Sequence, residues 1–151
     1  MKAIVNTKLV MEDSLIWDGA LVYEGDRIVA CGWAKDVEIP EHAELIDAHG
    51  LYTTPGFVDV HNHGGNGAWF YLEPERASEF FLKHGETTIL PTLYFNLDYN
   101  TTMEGVKRIK NASLSGAGRV MAGLYMEGPY MNTKYGSDNK NIKWKENIDP
   151  K

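Results

Sequence analysis

Strand-like and helix-like segments alternate from Pro55 onward, and this alternation limits the possible folds more than any other feature of the sequence. The segments FVDVHNH, ETTILPTL and RVMAGLYMEGP are short and apolar like strands, whereas EPERASEFFLKHG and TTMEGVKRIKNA have helical spacing. Strands that alternate with helices are typical of βα units around a parallel sheet. We therefore predict an α/β fold for residues 55–151.

The helix predictions depend on the spacing of apolar residues and on the residues at each end. The first helix has an apolar face at i, i+3, i+4 and i+7, formed by Ala77, Phe80, Phe81 and His84. Pro74 suits its first turn and Gly85 its end. Thr101 and Glu104 have the spacing of a capping box at the start of the second helix. Pro91 cannot donate to a ladder, so we expect strand pairing to end there.

Residues 1–54 have a different sequence pattern, in which short apolar runs are separated by turns. ALVYEGDRIVACG predicts two strands around a turn at Glu24–Asp26, and AELIDAHGLYTTP repeats this pattern around His49–Gly50. We therefore expect a small β domain at 1–54 that precedes the α/β segment at 55–151.

Composition narrows the class of ligand. The chain has 151 residues, of which 43% are apolar and 24% charged, and a net charge of −6, as in soluble globular proteins. No run of Lys or Arg is long enough to follow a phosphate backbone, which argues against nucleic acid and favours a small molecule. A single cysteine excludes an internal disulfide. The N-terminus lacks the apolar run of a signal peptide or membrane span, so we expect a cytoplasmic protein with no membrane partner.

The stretch PGFVDVHNHGGNG carries the first candidate ligands. Because strand side chains alternate, Asp59, His61 and His63 share one face, while Val58 and Val60 can pack against helices on the other. The two histidine Cα atoms are then about 6.6 Å apart, close enough for both imidazoles to bind one ion. The following glycines allow a sharp turn. The alternative is that these imidazoles are incidental, since H-x-H also occurs by chance.

Glu127 is the second candidate. Alternation along the predicted strand places it on one face with Met121, Gly123 and Tyr125, at the same end of the sheet as the histidine pair. Three ligands can converge there. The alternative is a solvated carboxylate just beyond a strand. No such partner accompanies His42, His49 or His84, and the tryptophans are expected in core or rim packing.

These motifs together resemble the N-terminal part of the amidohydrolase superfamily. The resemblance rests on DRIVACG, on LIDAHGLYTTPGFVDVHNHG and on the βα pattern that follows. Within that superfamily, ETTILPTL and GLYMEGPYMNTKYGSDN are most similar to the N-acetylglucosamine-6-phosphate deacetylases.

The resemblance implies that residues 1–54 are the N-terminal part of a small β-sandwich domain of the amidohydrolase type. It also implies that residues 55–151 hold the first three strand–helix units of a TIM barrel, and that the enzyme hydrolyses N-acetylglucosamine 6-phosphate, an amino-sugar phosphate. It implies that His61, His63 and Glu127 bind one or two divalent metal ions, zinc first, with iron, manganese or cobalt as alternatives. It also implies that such a metal activates water and polarises the acetyl carbonyl. Asn132 and Asp138 would contact the substrate, and the enzyme would be a homodimer.

Two departures from the family pattern affect these expectations. The segment KYGSDN places Asp138 where many family members have a sugar-binding histidine. The family's other metal histidines and its catalytic aspartate come from later strands, so the resemblance implies a catalytic aspartate beyond Lys151. A complete barrel takes about 250 residues. We therefore expect a fragment that has little activity alone. A dihydroorotase-like cyclic-amide hydrolase and a non-catalytic binding module remain the alternatives.

Overall fold

The computed structural model describes residues 1–130 and Lys134, and the chain divides into two compact units, Met1–Pro55 and a second that begins at Gly56. The first unit contains these strands: β1 (Lys2–Val10), β2 (Leu15–Glu24), β3 (Arg27–Trp33), β4 (Glu44–Asp47) and β5 (Tyr52–Thr53). The described part of the second unit contains, in chain order, β6 (Phe57–Asn62), β7 (Gly64–Gly65), β8 (Ala68–Trp69), α1 (Pro74–Lys83), β9 (Glu86–Leu93), α2 (Tyr99–Ala112), a 3-10 helix (Gly116–Val120) and β10 (Tyr125–Met126).

The first unit is built on one sheet with the strand order β3-β2-β1-β4, and β5 also pairs with β1. The predicted hairpin between β2 and β3 is confirmed, since these strands pair antiparallel. The second pair behaves differently, because β4 and β5 both run parallel to β1. The turn between them is stabilised by Asp47, whose carboxylate accepts hydrogen bonds from His49 N and Asn6 Nδ2. The unit has a single sheet, and the expectation that residues 1–54 are the N-terminal part of a β-sandwich domain stays a prediction.

The second unit confirms the predicted α/β class. Strands β6, β9 and β10 form a parallel sheet in the order β10-β9-β6, with β9 in the middle. The glycine-rich stretch after β6 forms a short hairpin between β7 and β8. Its turn residues, Asn66 and Gly67, have φ values of 52° and 74°. This is the left-handed geometry that two-residue hairpins require.

Both predicted helices are present, but the second begins earlier than expected. Helix α1 begins at Pro74 and ends before His84, as predicted. Helix α2 begins at Tyr99, and the carboxylate of Asp98 caps it by accepting a 2.8 Å hydrogen bond from Thr101 N. The predicted capping box at Thr101 is therefore wrong. Asp98 satisfies the free N–H groups of the first turn instead.

Two strand boundaries also differ from the predictions. Strand β9 continues through Pro91, because a proline removes only its own N–H from the ladder. Thr92 and Leu93 pair with β10, and Leu93 O accepts from Glu127 N at 3.1 Å. Strand β10 is much shorter than RVMAGLYMEGP predicts. The N-terminal part of the predicted strand forms a 3-10 helix that ends at Val120. Between this helix and Tyr125, the structure has only an isolated bridge at Met121. Gly123 lies in this gap, and glycine weakens a strand interior.

The core of the second unit lies between β9 and the two helices. Its buried apolar residues include Phe70, Ala77, Ile89, Leu93, Ile109 and Ala112. The prediction that Val58 and Val60 pack against helices is wrong, since they are 64% and 59% exposed. They belong to β6, at one edge of the described sheet, while α1 packs against β7, β8 and β9. Among the described residues, no helix has both the length and the apolarity needed to cross a membrane.

Candidate metal centre

Three side chains converge at the carboxyl end of the parallel sheet. His61 lies in β6, His63 follows it directly, and Glu127 follows β10. Parallel strands present their carboxyl ends at the same edge, which is why residues far apart in sequence meet there. The structure thus brings together the three ligands predicted from the sequence, and their ligand atoms all lie within 4.8 Å of one another.

The distances within this cluster are short. The Nε2 atoms of His61 and His63 are 3.4 Å apart. Glu127 Oε1 lies 3.8 Å from His61 Nε2, and Oε2 lies 3.3 Å from His63 Nε2. Two ligand atoms about 2.0–2.1 Å from a tetrahedral ion are roughly 3.3 Å apart. The spacing of the nitrogens therefore suits a shared cation.

The burial of Glu127 also supports a bound cation. The Glu127 side chain is 22% exposed, and its Oε2 atom is buried and accepts no hydrogen bond from the described residues. The nearby His63 nitrogen is at ion-pair distance, but the two atoms do not form a hydrogen bond. A buried carboxylate oxygen without a hydrogen bond is costly. A cation bound between the three side chains would remove that cost, so the residues present fit a divalent metal.

The backbone of β9 fixes the orientation of His63. Its Nδ1 atom lies 3.1 Å from the carbonyl oxygen of Thr92. Because a carbonyl only accepts, Nδ1 carries the proton in this hydrogen bond, and Nε2 keeps a free lone pair that faces the cluster. Histidine ligands of metals are commonly oriented in this way.

Asn62 holds the backbone between the two histidines. It is 9% exposed, and its backbone N–H donates to Thr92 Oγ1 at 2.9 Å. Its side-chain Nδ2 donates to Asp59 Oδ2 at 2.8 Å, while its Oδ1 accepts from Gly64 N at 2.9 Å. Asp59 also accepts from His61 N. Asp59 therefore shapes the strand end rather than joining the ligand cluster.

Aromatic rings surround the histidines. The Tyr94 ring packs edge-on against His63 at 5.3 Å, and the Trp69 ring lies 6.1 Å from it. The Tyr125 ring lies 5.2 Å from that of His61. Tyr94 was not among the predicted site residues, although its position just beyond β9, the neighbour of β6, could have indicated it. Trp69 lies at the rim, 43% exposed.

A second acidic group lies at the other end of β9. Burial raises the pKa of Glu86, the charge of Asp59 raises it further, and His84 opposes these effects. Its Oε2 atom is buried and has no hydrogen-bond partner among the described residues. Glu86 opens β9 opposite Phe57, at the start of the strands, whereas the histidines lie at their end.

The structure does not test the other two predicted site residues, and it gives His49 and His84, for which no site role was predicted, local partners. Asn132 and Asp138 lie outside the described residues. His49 pairs with Asp47 at 3.4 Å, and His84 Nδ1 lies 2.7 Å from Phe80 O, so both have local structural partners.

Comparisons with known proteins agree with these observations. No family model matches the chain. The N-acetylglucosamine-6-phosphate deacetylase of Pasteurella multocida aligns with a TM-score of 0.74 and 28% identity, covering 99% of this chain and 39% of that one. The enzyme of that name from Mycobacterium smegmatis aligns with a TM-score of 0.76 and 24% identity, covering 98% and 41%. A dihydroorotase from Aquifex aeolicus is 36% identical over 90 residues, or 55% of this chain and 21% of its own length.

The chain thus spans about two-fifths of these solved structures and a fifth of the dihydroorotase. The similarity in fold extends over nearly all of the chain, and the three converging residues that could hold a metal ion lie within it. The chain therefore resembles the N-terminal portion of amidohydrolase-superfamily enzymes, with N-acetylglucosamine-6-phosphate deacetylases among its structural relatives.

Proposed function

We propose that this protein is a metal-dependent hydrolase that removes the acetyl group from N-acetylglucosamine 6-phosphate. The observation that carries the proposal is the convergence of His61, His63 and Glu127, whose buried Oε2 atom accepts no hydrogen bond from any described residue. The choice of substrate is supported by the Pasteurella multocida deacetylase, which is 28% identical over 99% of this chain.

The proposed architecture follows from the described sheet. Strands β6, β9 and β10 are parallel and lie side by side in the order in which they follow one another along the chain, with α1 between β6 and β9 and α2 between β9 and β10. We assign them as the first three strands of a TIM barrel over 55–151, after a β domain at 1–54. Active sites of such barrels lie at the carboxyl ends of the strands, which is where the three ligands meet.

Each residue of the centre has a distinct part in the proposed reaction. His61 and His63 would bind the metal through Nε2, and Glu127 through its carboxylate. A divalent ion held there supplies Lewis acidity, which activates water and polarises the amide carbonyl. Thr92 O keeps the proton of His63 on Nδ1, and the Tyr94 ring packs against that imidazole. Nitrogen and carboxylate ligands suit zinc first, with iron, manganese and cobalt as alternatives.

Metal content tests the proposal without requiring turnover. We expect the purified protein to bind a divalent ion stoichiometrically, and the His61→Ala/His63→Ala double variant to lose most of it. The matched control is His42→Ala/His49→Ala, which removes two exposed histidines from the first unit. Equal metal in all three proteins would overturn the assignment of the histidine pair. Absence of stoichiometric metal from the wild-type protein would favour a non-catalytic binding module.

A dihydroorotase-like hydrolase of cyclic amides is the second candidate, because the Aquifex aeolicus relative is 36% identical over 90 residues. Both candidates use the same centre and differ only in substrate. Assays of the whole native protein, rather than of residues 1–151 alone, with N-acetylglucosamine 6-phosphate and with dihydroorotate separate them. We expect metal-dependent hydrolysis of the sugar phosphate alone, and turnover of dihydroorotate alone would replace the first candidate with the second.

A further inference from the structure

A cleft of about 500 Å³ opens beside the candidate metal centre. It lies between the segment that follows β9, the first turns of α2, and the segment Met126–Pro129. Glu127 forms part of its wall, so the cleft begins at one of the three ligand residues. Tyr94, whose ring packs against His63, forms another part. A substrate held at the centre can therefore extend into the cleft.

The described lining of the cleft is mostly apolar. Its apolar side chains include Tyr94, Leu97, Tyr99, Met103, Met126 and Pro129. Tyr99 is 75% exposed, Met103 39% and Met126 46%, so three large apolar side chains border the same opening. Exposed apolar residues gathered around a concave site are typical of ligand-binding clefts.

Charge in the cleft limits what it can hold. The charged residues in its described lining are Asp98 and Glu127, both acidic. The Asp98 carboxylate caps α2, so it already has a partner. No Lys, Arg or His belongs to that described lining, and a phosphate placed there would meet like charge without a counter-ion. The cleft therefore suits an uncharged apolar group.

We infer that this cleft receives the acyl side of an amide substrate, and that the centre accepts apolar acyl groups larger than acetyl. The inference rests on the proposed function and names a substrate class for it. An N-acyl amino-sugar phosphate has a polar, anionic sugar side and an apolar acyl side, and the cleft matches only the second. A methyl group alone would leave most of the volume unfilled, whereas each additional buried methylene strengthens binding about fourfold.

Binding to the metal-free native protein tests this inference without turnover. Calorimetry would compare N-hexanoylglucosamine 6-phosphate with N-acetylglucosamine 6-phosphate. The hexanoyl group has four more methylenes than the acetyl group. We expect the hexanoyl compound to bind at least about tenfold more tightly, a smaller gain than full burial of all four methylenes would give. Met103→Trp places a larger side chain at the edge of the cleft and should reduce this preference to about twofold or less.

Leu114→Trp is the matched control, since Leu114 is 70% exposed and lies outside the described lining of the cleft. It should keep the wild-type preference. Equal affinity for the two compounds, tighter binding of the acetyl compound, or no binding of either overturns the inference, as does a hexanoyl preference that Met103→Trp leaves intact. Metal content and hydrolysis of the acetyl compound, measured in parallel, show separately whether the proposed function stands.

Discussion

The Nδ1 atom of His63 lies 3.1 Å from the backbone oxygen of Thr92. Strand β9 therefore orients a histidine that lies just beyond the end of the neighbouring strand, β6. The same threonine accepts a hydrogen bond from Asn62 N through its hydroxyl, which in turn donates to Leu90 O. Thr92 is 2% exposed. One buried residue thus fixes both the imidazole and the backbone between the two histidines.

Replacing Thr92 by valine should destabilise the protein and weaken metal binding. The variant keeps the carbonyl that holds His63 but removes the acceptor of the buried Asn62 N–H. An unsatisfied buried donor costs about 1–3 kcal/mol. Loss of a group that orients metal ligands typically weakens metal binding about 10- to 100-fold, and we expect the lower end because the carbonyl remains. Urea unfolding and metal titration against a chelator would measure the two effects.

Thr87→Val is the control for this prediction, since Thr87 lies on the same strand with an exposed side chain. It makes the same chemical change without removing the acceptor of a buried N–H. If both variants lose equal stability, the hydroxyl of Thr92 has no special role in holding the strand end.

Replacing Gly64 by alanine should disrupt the hairpin behind the histidines. Gly64 has a φ of 137°, and an added Cβ would lie 2.1 Å from Ala68 O. Backbone must move to relieve that contact, so we expect a loss of more than about 3 kcal/mol in the free energy of unfolding. Gly116→Ala is the control, because Gly116 also has a positive φ but open space around it. Its cost should be about 1 kcal/mol, and equal costs for the two variants would show that the close contact is unimportant.

The sequence was sufficient to predict residues whose position follows from strand alternation and parallel pairing. His61, His63 and Glu127 lie at strand ends, so the pattern alone places them at one edge of the sheet. The pattern could not predict the contacts between Asn62 and Thr92, because these depend on a register shift between Asp59 and Asn62 in the pairing of β6 with β9. It also placed Val58 and Val60 against helices, whereas helix α1 packs on β7, β8 and β9 instead.

Replacing Glu86 by glutamine should stabilise the protein at neutral pH and have less effect in acid. Burial and the charge of Asp59 raise the pKa of Glu86 above 4.5. Between the unfolded and the folded pKa the native state binds more protons, so stability falls as pH rises through this window. The penalty is fully present above the folded pKa and absent below the unfolded one. Tm measured at several pH values should show wild type and variant converging in acid. A constant difference would contradict this explanation.

Binding of a divalent ion at the candidate centre should raise the thermal stability of the protein, because the ion binds the folded arrangement of His61, His63 and Glu127 and not the dispersed side chains of the unfolded chain. At about 100 times its Kd, zinc would stabilise the folded state by about 2.7 kcal/mol. Thermal unfolding with added zinc and with a chelator would measure the difference in Tm. Glu127→Gln, which has nearly the same shape without the charge, should lose most of this difference, while Glu79→Gln on the exposed face of α1 should retain it. A zinc-dependent rise of equal size in both variants would mean that the ion binds elsewhere.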